Sequence, residues 1–505
     1  MAPIVPVLAL VALCACGGTG ATSSSPSPSG FSNATLAGQY AFTATGVSNV
    51  TTSNGFFLVA GSLQADGNGN LSGTEDINGG TLGVLQNVSF SGTYSVGPDG
   101  RGSATVTSSG GTSTFRFVIV SSSKARIIEF DNLAGANGLL EKQDPSAFTN
   151  NAFTGAYVFG FGGPGSASSG LAPFEVTGRF LADGSGAISS GVADSNTFGS
   201  LATLQPLNGS YAVSSNGRGT MTLTGSFGPF SALHFSFYVL SGSKIRMLGL
   251  DAGSGVNPFV VLSGTAEKQQ TVSLSTSTLS GDYAFVESGT TALTVGRFSA
   301  DGLGGINSGA EDQNRNGTVS ENVPFTGTYS ISSNGRGLAA LSAPGASSSF
   351  IFYAVSPGRA FAMGTDTAEA PTATIVSQQG GPFSAGSLTG GYAFDIGGNT
   401  VTGTNIDIVG QLSSAGNGNL SGVEDLHQGT ALSPGVPLSG AYTVSSNGRG
   451  TVTLTAGGAT SNFVFYLAAC PTNQHDCPGT ASPPTPLVLG IDSTFLLIGF
   501  AEKQF

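Results

Sequence analysis

Four stretches of this chain are versions of one another, so any fold proposed for one must serve all four. The copies run over residues 34–143, 151–269, 278–379 and 387–504. Each opens, just behind a glycine, on a tyrosine and a phenylalanine two places apart: Tyr40 and Phe42, Tyr157 and Phe159, Tyr283 and Phe285, Tyr392 and Phe394. A Gly-rich hairpin signal follows, ADGNG in the first copy and ADGLG in the third. A second tyrosine (Tyr94, Tyr211, Tyr329 or Tyr442) then leads into SSNGRG, written GPDGRG in the first copy, and a Phe-x-Phe pair comes after it. Three copies close on Glu-Lys-Gln, and the third closes on Ser377, Gln378 and Gln379.

Within each copy, aromatic and β-branched residues alternate with small polar ones, and Asn-Gly or Asp-Gly pairs fall between the runs. That pattern predicts an all-β protein of four tandem antiparallel domains, each of about eight strands. Only 9% of residues are charged, but 33 Phe and 11 Tyr supply enough apolar area to fold the chain. Short strands joined in order by tight turns close into an up-and-down barrel, which leaves no free edge; a β-sandwich or a propeller built from half-repeats is the alternative. The layout resembles the calycin and lipocalin type of barrel, with Tyr40, Tyr157, Tyr283 and Tyr392 at the first-strand aromatic position. By that resemblance Lys142, Lys268 and Lys503 are the basic partners on the last strand.

The N-terminus bears on location. An apolar run too short to span a bilayer ends in Leu13, Cys14, Ala15, Cys16 and Gly17, which resembles the bacterial lipobox; no Lys or Arg precedes the run. The resemblance implies a signal peptide over residues 1–15, a diacylglycerol on Cys16 and a lipid-anchored flexible tether over residues 16–33. Gly17 after the cysteine implies an outer-membrane lipoprotein of the cell envelope, facing either the periplasm or the exterior. The layout as a whole resembles repeat-bearing lipoproteins of soil bacteria. In an oxidising compartment Cys470 and Cys477, bracketing a short loop, are expected to form a disulfide.

Candidate chemistry is sparse. The net charge of −12, with no basic stripe, excludes nucleic acid as a partner. Three histidines recur at no equivalent place, and no nucleophile elbow, zinc helix or phosphate loop is present, so no enzymatic activity is expected. Glu75/Asp76 and Glu311/Asp312 are adjacent on candidate strands and would point to opposite faces. Asp76, Asp194, Asp312 and Asp425 recur in all copies and read as turn-stabilising acids. In the third copy Asp312, Asn314 and Asn316 have the spacing that opens a calcium loop, with Glu321 as the further acid; Ca²⁺ is the one cofactor to test. The Asn-Gly and Asp-Gly pairs of SSNGRG and GPDGRG suit a type I′ turn, with both central residues at positive φ. Arg101, Arg218, Arg336 and Arg449 are then expected just past a hairpin tip, solvated or paired with a nearby acid, as repeated interaction candidates for an acidic surface or glycan. The expected role is structural or adhesive, with a surface protein or glycan as partner. The alternative is a carrier that takes a small ligand or glycan into its barrel cavities, and behind it a secreted hydrolase.

Overall fold

In a computed structural model, which describes residues 30–49, 55–167, 170–253, 258–270, 273–469 and 484–505, each repeat closes on itself. Four antiparallel eight-stranded barrels follow one another along the chain. Barrel 1 runs from its first strand, Gly38–Ser48, to its last, Ala134–Lys142. Barrel 2 runs from Thr154–Ala167 to Ser263–Lys268, barrel 3 from Ser280–Ser288 to Thr372–Ser377, and barrel 4 from Thr389–Thr400 to Phe495–Lys503. In barrel 2 a two-residue strand, Phe259–Val260, also pairs with the first strand.

Alternation along the strands sorts residues between two destinations. In the first strand of barrel 1, Tyr40 and Phe42 face the barrel interior, while Ala41 faces outward and is 1% exposed because another barrel covers it. The two tyrosines of each repeat close the interior. Tyr40 donates to the Ser122 carbonyl at 2.7 Å, and Tyr283 does the same to Pro357. Tyr94 donates to the Asn33 carbonyl and accepts from Gly67 N–H, both at 3.0 Å, which ties the entering 3₁₀ turn to the ADGNG hairpin. On the last strand Lys142 pairs in register with Tyr40 and holds its ammonium 5.8 Å from the ring centre. The interiors are nearly full: the cavities inside barrels 4 and 3 measure about 60 and 50 Å³.

The outward residues build four further apolar clusters, one between each pair of neighbouring barrels. Ala41, Leu58 and Ala60 of barrel 1 meet Tyr238, Leu240 and Leu248 of barrel 2. Val158 and Val192 of barrel 2 meet Ile351, Tyr353 and Val355 of barrel 3. Ala284 and Val295 meet Val464 and Tyr466, joining barrels 3 and 4. Val118, Val120 and Ile128 of barrel 1 meet Ala393 and Val409 of barrel 4. The last cluster brings the two ends of the repeat array together, so the barrels form a closed ring rather than beads or an open stack.

Candidate functional site: the seams between barrels

The GRG hairpin is where one barrel grips the one before it. In barrel 2, Gly217 N–H donates to the Ser214 carbonyl at 2.9 Å, and Ser214 N–H to the Arg218 carbonyl at 2.9 Å. Only the glycine of each Asn-Gly or Asp-Gly pair has positive φ: +85° at Gly100, +82° at Gly217, +88° at Gly335 and +87° at Gly448. This is a type I turn closed by a left-handed glycine, not the expected type I′ turn. The asparagine stays at negative φ because its side chain is used locally, Oδ1 of Asn216 accepting from Arg218 N–H at 3.1 Å. The second glycine serves the core: a Cβ at Gly219 would lie 2.1 Å from the Phe237 ring, which crosses the bare backbone there.

Arg218 leaves this turn and crosses to barrel 1. Its Nε and Nη2 each reach a carboxylate oxygen of Asp76 at 2.8 Å, and the Tyr238 hydroxyl donates to the same carboxylate at 2.6 Å. Arg336 grips Asp194 at 2.8 and 2.7 Å with help from Tyr353, and Arg449 grips Asp312 with help from Tyr466. Asp76, Asp194 and Asp312 are fully buried. These acids are ion-pair partners as well as local backbone acceptors, each also taking the N–H of a positive-φ residue on the next strand (Asn87, Leu204 or Asn322), and the arginines reach from barrel to barrel rather than into solvent. Burial, and after it the neighbouring Asp76 charge, pushes the Tyr238 phenol far above its ordinary range, so it stays a donor.

Three further contacts repeat around the ring. The closing glutamine of each repeat donates to a carbonyl of the next barrel: Gln143 to Val239, Gln269 to Ala354, Gln378 to Leu467 and, completing the circle, Gln504 to Ile119, at 2.7–2.8 Å. It lies against the turn glycine; a Cβ at Gly335 would come within 2.4 Å of Gln269 Nε2. The amide of Asn78 donates to the Gly249 and Val260 carbonyls, Asn196 to Gly364 and Asp366, and Asn314 to Gly490 and Asp492. Before the glutamine, Glu141 holds Lys244 and Arg246 at 2.6 Å each, Glu267 holds Arg359, and Glu502 holds Lys124 and Arg126. Burial opposes ionisation of Glu502, but Arg126 and Lys124 outweigh it and hold its pKa down to about 2. Barrel 3 has Val376 at this position, and its seam with barrel 4 is apolar there, with Leu487 and Leu489.

The seam between barrels 4 and 1 departs from the others. Arg101 turns its Nε to Asp99 in its own hairpin at 2.8 Å and reaches Asp425 only at 3.5 Å. Val118 stands opposite Arg101 where the other barrels place Tyr238, Tyr353 and Tyr466. His427 replaces the asparagine; its ring is fully buried, neither nitrogen has a hydrogen-bond partner among the described residues, and Nδ1 lies 3.6 Å from Asp407.

The calcium candidates all lie at the seam between barrels 3 and 4. Asp312 is held by Arg449 and Tyr466, Asn314 spends its amide on barrel 4 carbonyls, and Asn316 forms a turn at φ 46°. Glu321 meets Arg449 at 3.3 Å, so a guanidinium occupies the place between the acids where a metal would sit. As expected of strand neighbours, Asp76 faces a seam while Glu75 enters the barrel. Asp131, Asp251 and Asp492 cap the adjoining strand by accepting from Thr114, His234 and Asn462 N–H. Cys16, Cys470 and Cys477 lie outside the described residues. A scan against models of known protein families finds no match, and a search of curated proteins finds no relative.

Proposed function

We propose that this chain is an exported lipoprotein, anchored to the outer membrane through Cys16, whose four-barrel ring has a structural or interaction role in the cell envelope. The observation that carries the role is the use of the repeated polar motifs. The arginine of the GRG hairpin and the closing glutamine are spent on locking barrel to barrel, as a rigid platform requires. A carrier filling its barrels with ligand is less well supported, because cavities of about 60 and 50 Å³ hold only a few waters. The reading assigns no catalytic activity. Its partners are the membrane, through the lipid, and a surface protein or glycan that docks on the ring.

Metabolic labelling with a palmitate analogue tests the anchor. The wild type should be labelled and sediment with the outer membrane, and Cys16→Ser should be unlabelled and released. Equal labelling of the two would remove the location from the proposal.

A further inference from the structure

We propose that the seam between barrels 4 and 1 is a binding site for a compact oxyanion, a carboxylate or phosphate group, received by Arg116 with Arg101 beside it. In a ring of near-copies, the place that breaks the pattern is the place to look for a ligand, because the other three seams show what packing alone asks for. On the outward face of the sixth strand the other barrels carry Ser236, Ile351 and Val464, each at most 2% exposed against the preceding barrel. Barrel 1 carries Arg116 there.

Among the described residues Arg116 makes no ion pair and no hydrogen bond, and its Nε is buried without an acceptor. Buried donors are otherwise almost always satisfied, and the two terminal nitrogens of an unpaired guanidinium form a fork shaped for two oxygens. Its carbon lies 5.2 Å from the centre of the Phe130 ring, within cation–π reach. Arg116 pairs across the ladder with Ser103, and Arg101 pairs with Val118 next to it, so both arginines and Ser103 share one face of the hairpin. That face lines an open groove of about 590 Å³, with Asp425 of barrel 4 also on its wall. Asp99 and Asp425 are both directed at Arg101, which leaves Arg116 as the uncompensated charge. The missing tyrosine and the loosened Arg101 clamp are the structural cost of keeping the space open.

The test titrates inorganic phosphate and, separately, D-glucuronate into the full-length protein at low salt, followed by calorimetry. At least one should bind saturably at one site per chain, weaken with added NaCl and raise the melting temperature of the wild type. Arg116→Ser, which installs the residue of barrel 2, should weaken that binding by about tenfold or more. Arg116→Lys keeps the charge but loses the fork and should fall between. Phosphate alone binding would assign a phosphate ligand, and glucuronate alone a carboxylate. Circular dichroism and melting curves of both variants check the fold, and if Arg116→Ser does not fold, Arg116→Lys decides. No saturable binding of either anion up to tens of millimolar, or equal binding by wild type and folded variant, would overturn the site.

Discussion

An arginine two residues past a hairpin tip is ordinarily left in water, because taking a guanidinium out of it costs several kcal/mol unless its donors are matched. Here they are matched twice over: Asp76 offers two oxygens to Arg218, and Tyr238 adds a third hydrogen bond to the same carboxylate. The tyrosine, with the Asn87 N–H at 2.8 Å, lets the acid be fully buried, since a lone guanidinium leaves carboxylate lone pairs unfilled. Tyr238→Phe should therefore cost about 1.5–3 kcal/mol of stability, the range for a hydrogen bond to a buried charge. Urea unfolding of the full chain checks it, and the same substitution at Tyr353 should cost a similar amount, because Asp194 is held in the same way. A loss below about 0.5 kcal/mol at both sites would mean that the arginine and the backbone N–H of Asn87 or Leu204 already satisfy the acid.

Between elements, the same comparison of seams explains what was legible from the sequence. Strands, hairpins and closure were legible because they depend on neighbours in the chain: alternation sets the strand faces, and Asp66 turns its hairpin by accepting from Asn68 and Asn70 N–H at 2.7 and 2.9 Å. The seams were not, because Arg218 and Asp76 are 142 residues apart and each has a sufficient local explanation, as hairpin shoulder or turn acid. One signal was present. Tyr238, Tyr353 and Tyr466 recur on an outward strand face, where a large aromatic needs a covering partner, and the first copy alone has Val118. The departure at His427 carries its own prediction. Asparagine at that position elsewhere satisfies two carbonyls of the next barrel, whereas among the described residues both buried His427 nitrogens lack a hydrogen bond and only Asp407, 3.6 Å from Nδ1, is near. His427→Asn should stabilise the ring by about 1–2 kcal/mol, seen as a higher melting temperature, and Asn196→His should do the reverse. If His427→Asn is neutral or destabilising, the histidine is satisfied in a way its burial does not reveal.

For the molecule as a whole, the acids fall into two opposed groups, and their balance sets the pH at which the ring is most stable. Inside the barrels, burial first and the adjacent Asp76 or Asp425 second raise Glu75 and Glu424 to about 7, and burial with Glu311 nearby raises Glu287 to about 8. A carboxyl with a folded pKa above its unfolded value near 4.5 binds more protons folded than unfolded. Its favourable contribution is therefore complete below pH 4.5 and is lost as pH rises through 7 to 8. At the seams the glutamates of the closing strands have the reverse sign, although burial raises Asp395, beside Arg126, to about 6. Glu502 sits at about 2, and Glu141 and Glu267 lie below their ordinary value because, against the cost of burial, Arg246 and Arg359 with Lys244 hold them ionised. The stability these three confer is present above pH 4.5 and disappears as pH falls toward 2. The two windows meet in mild acid, so the melting temperature should peak between about pH 4.5 and 5.5 and fall on both sides, with the net charge of −12 adding self-repulsion on the alkaline limb. Glu424→Gln should flatten that limb, recovering on the order of 2–3 kcal/mol between pH 5 and 8, while leaving the acid limb unchanged. Scanning calorimetry of wild type and variant across pH 3–8 checks both limbs. A stability maximum above pH 7 would show that the interior carboxyls are ionised at no cost and that the seams alone govern the ring.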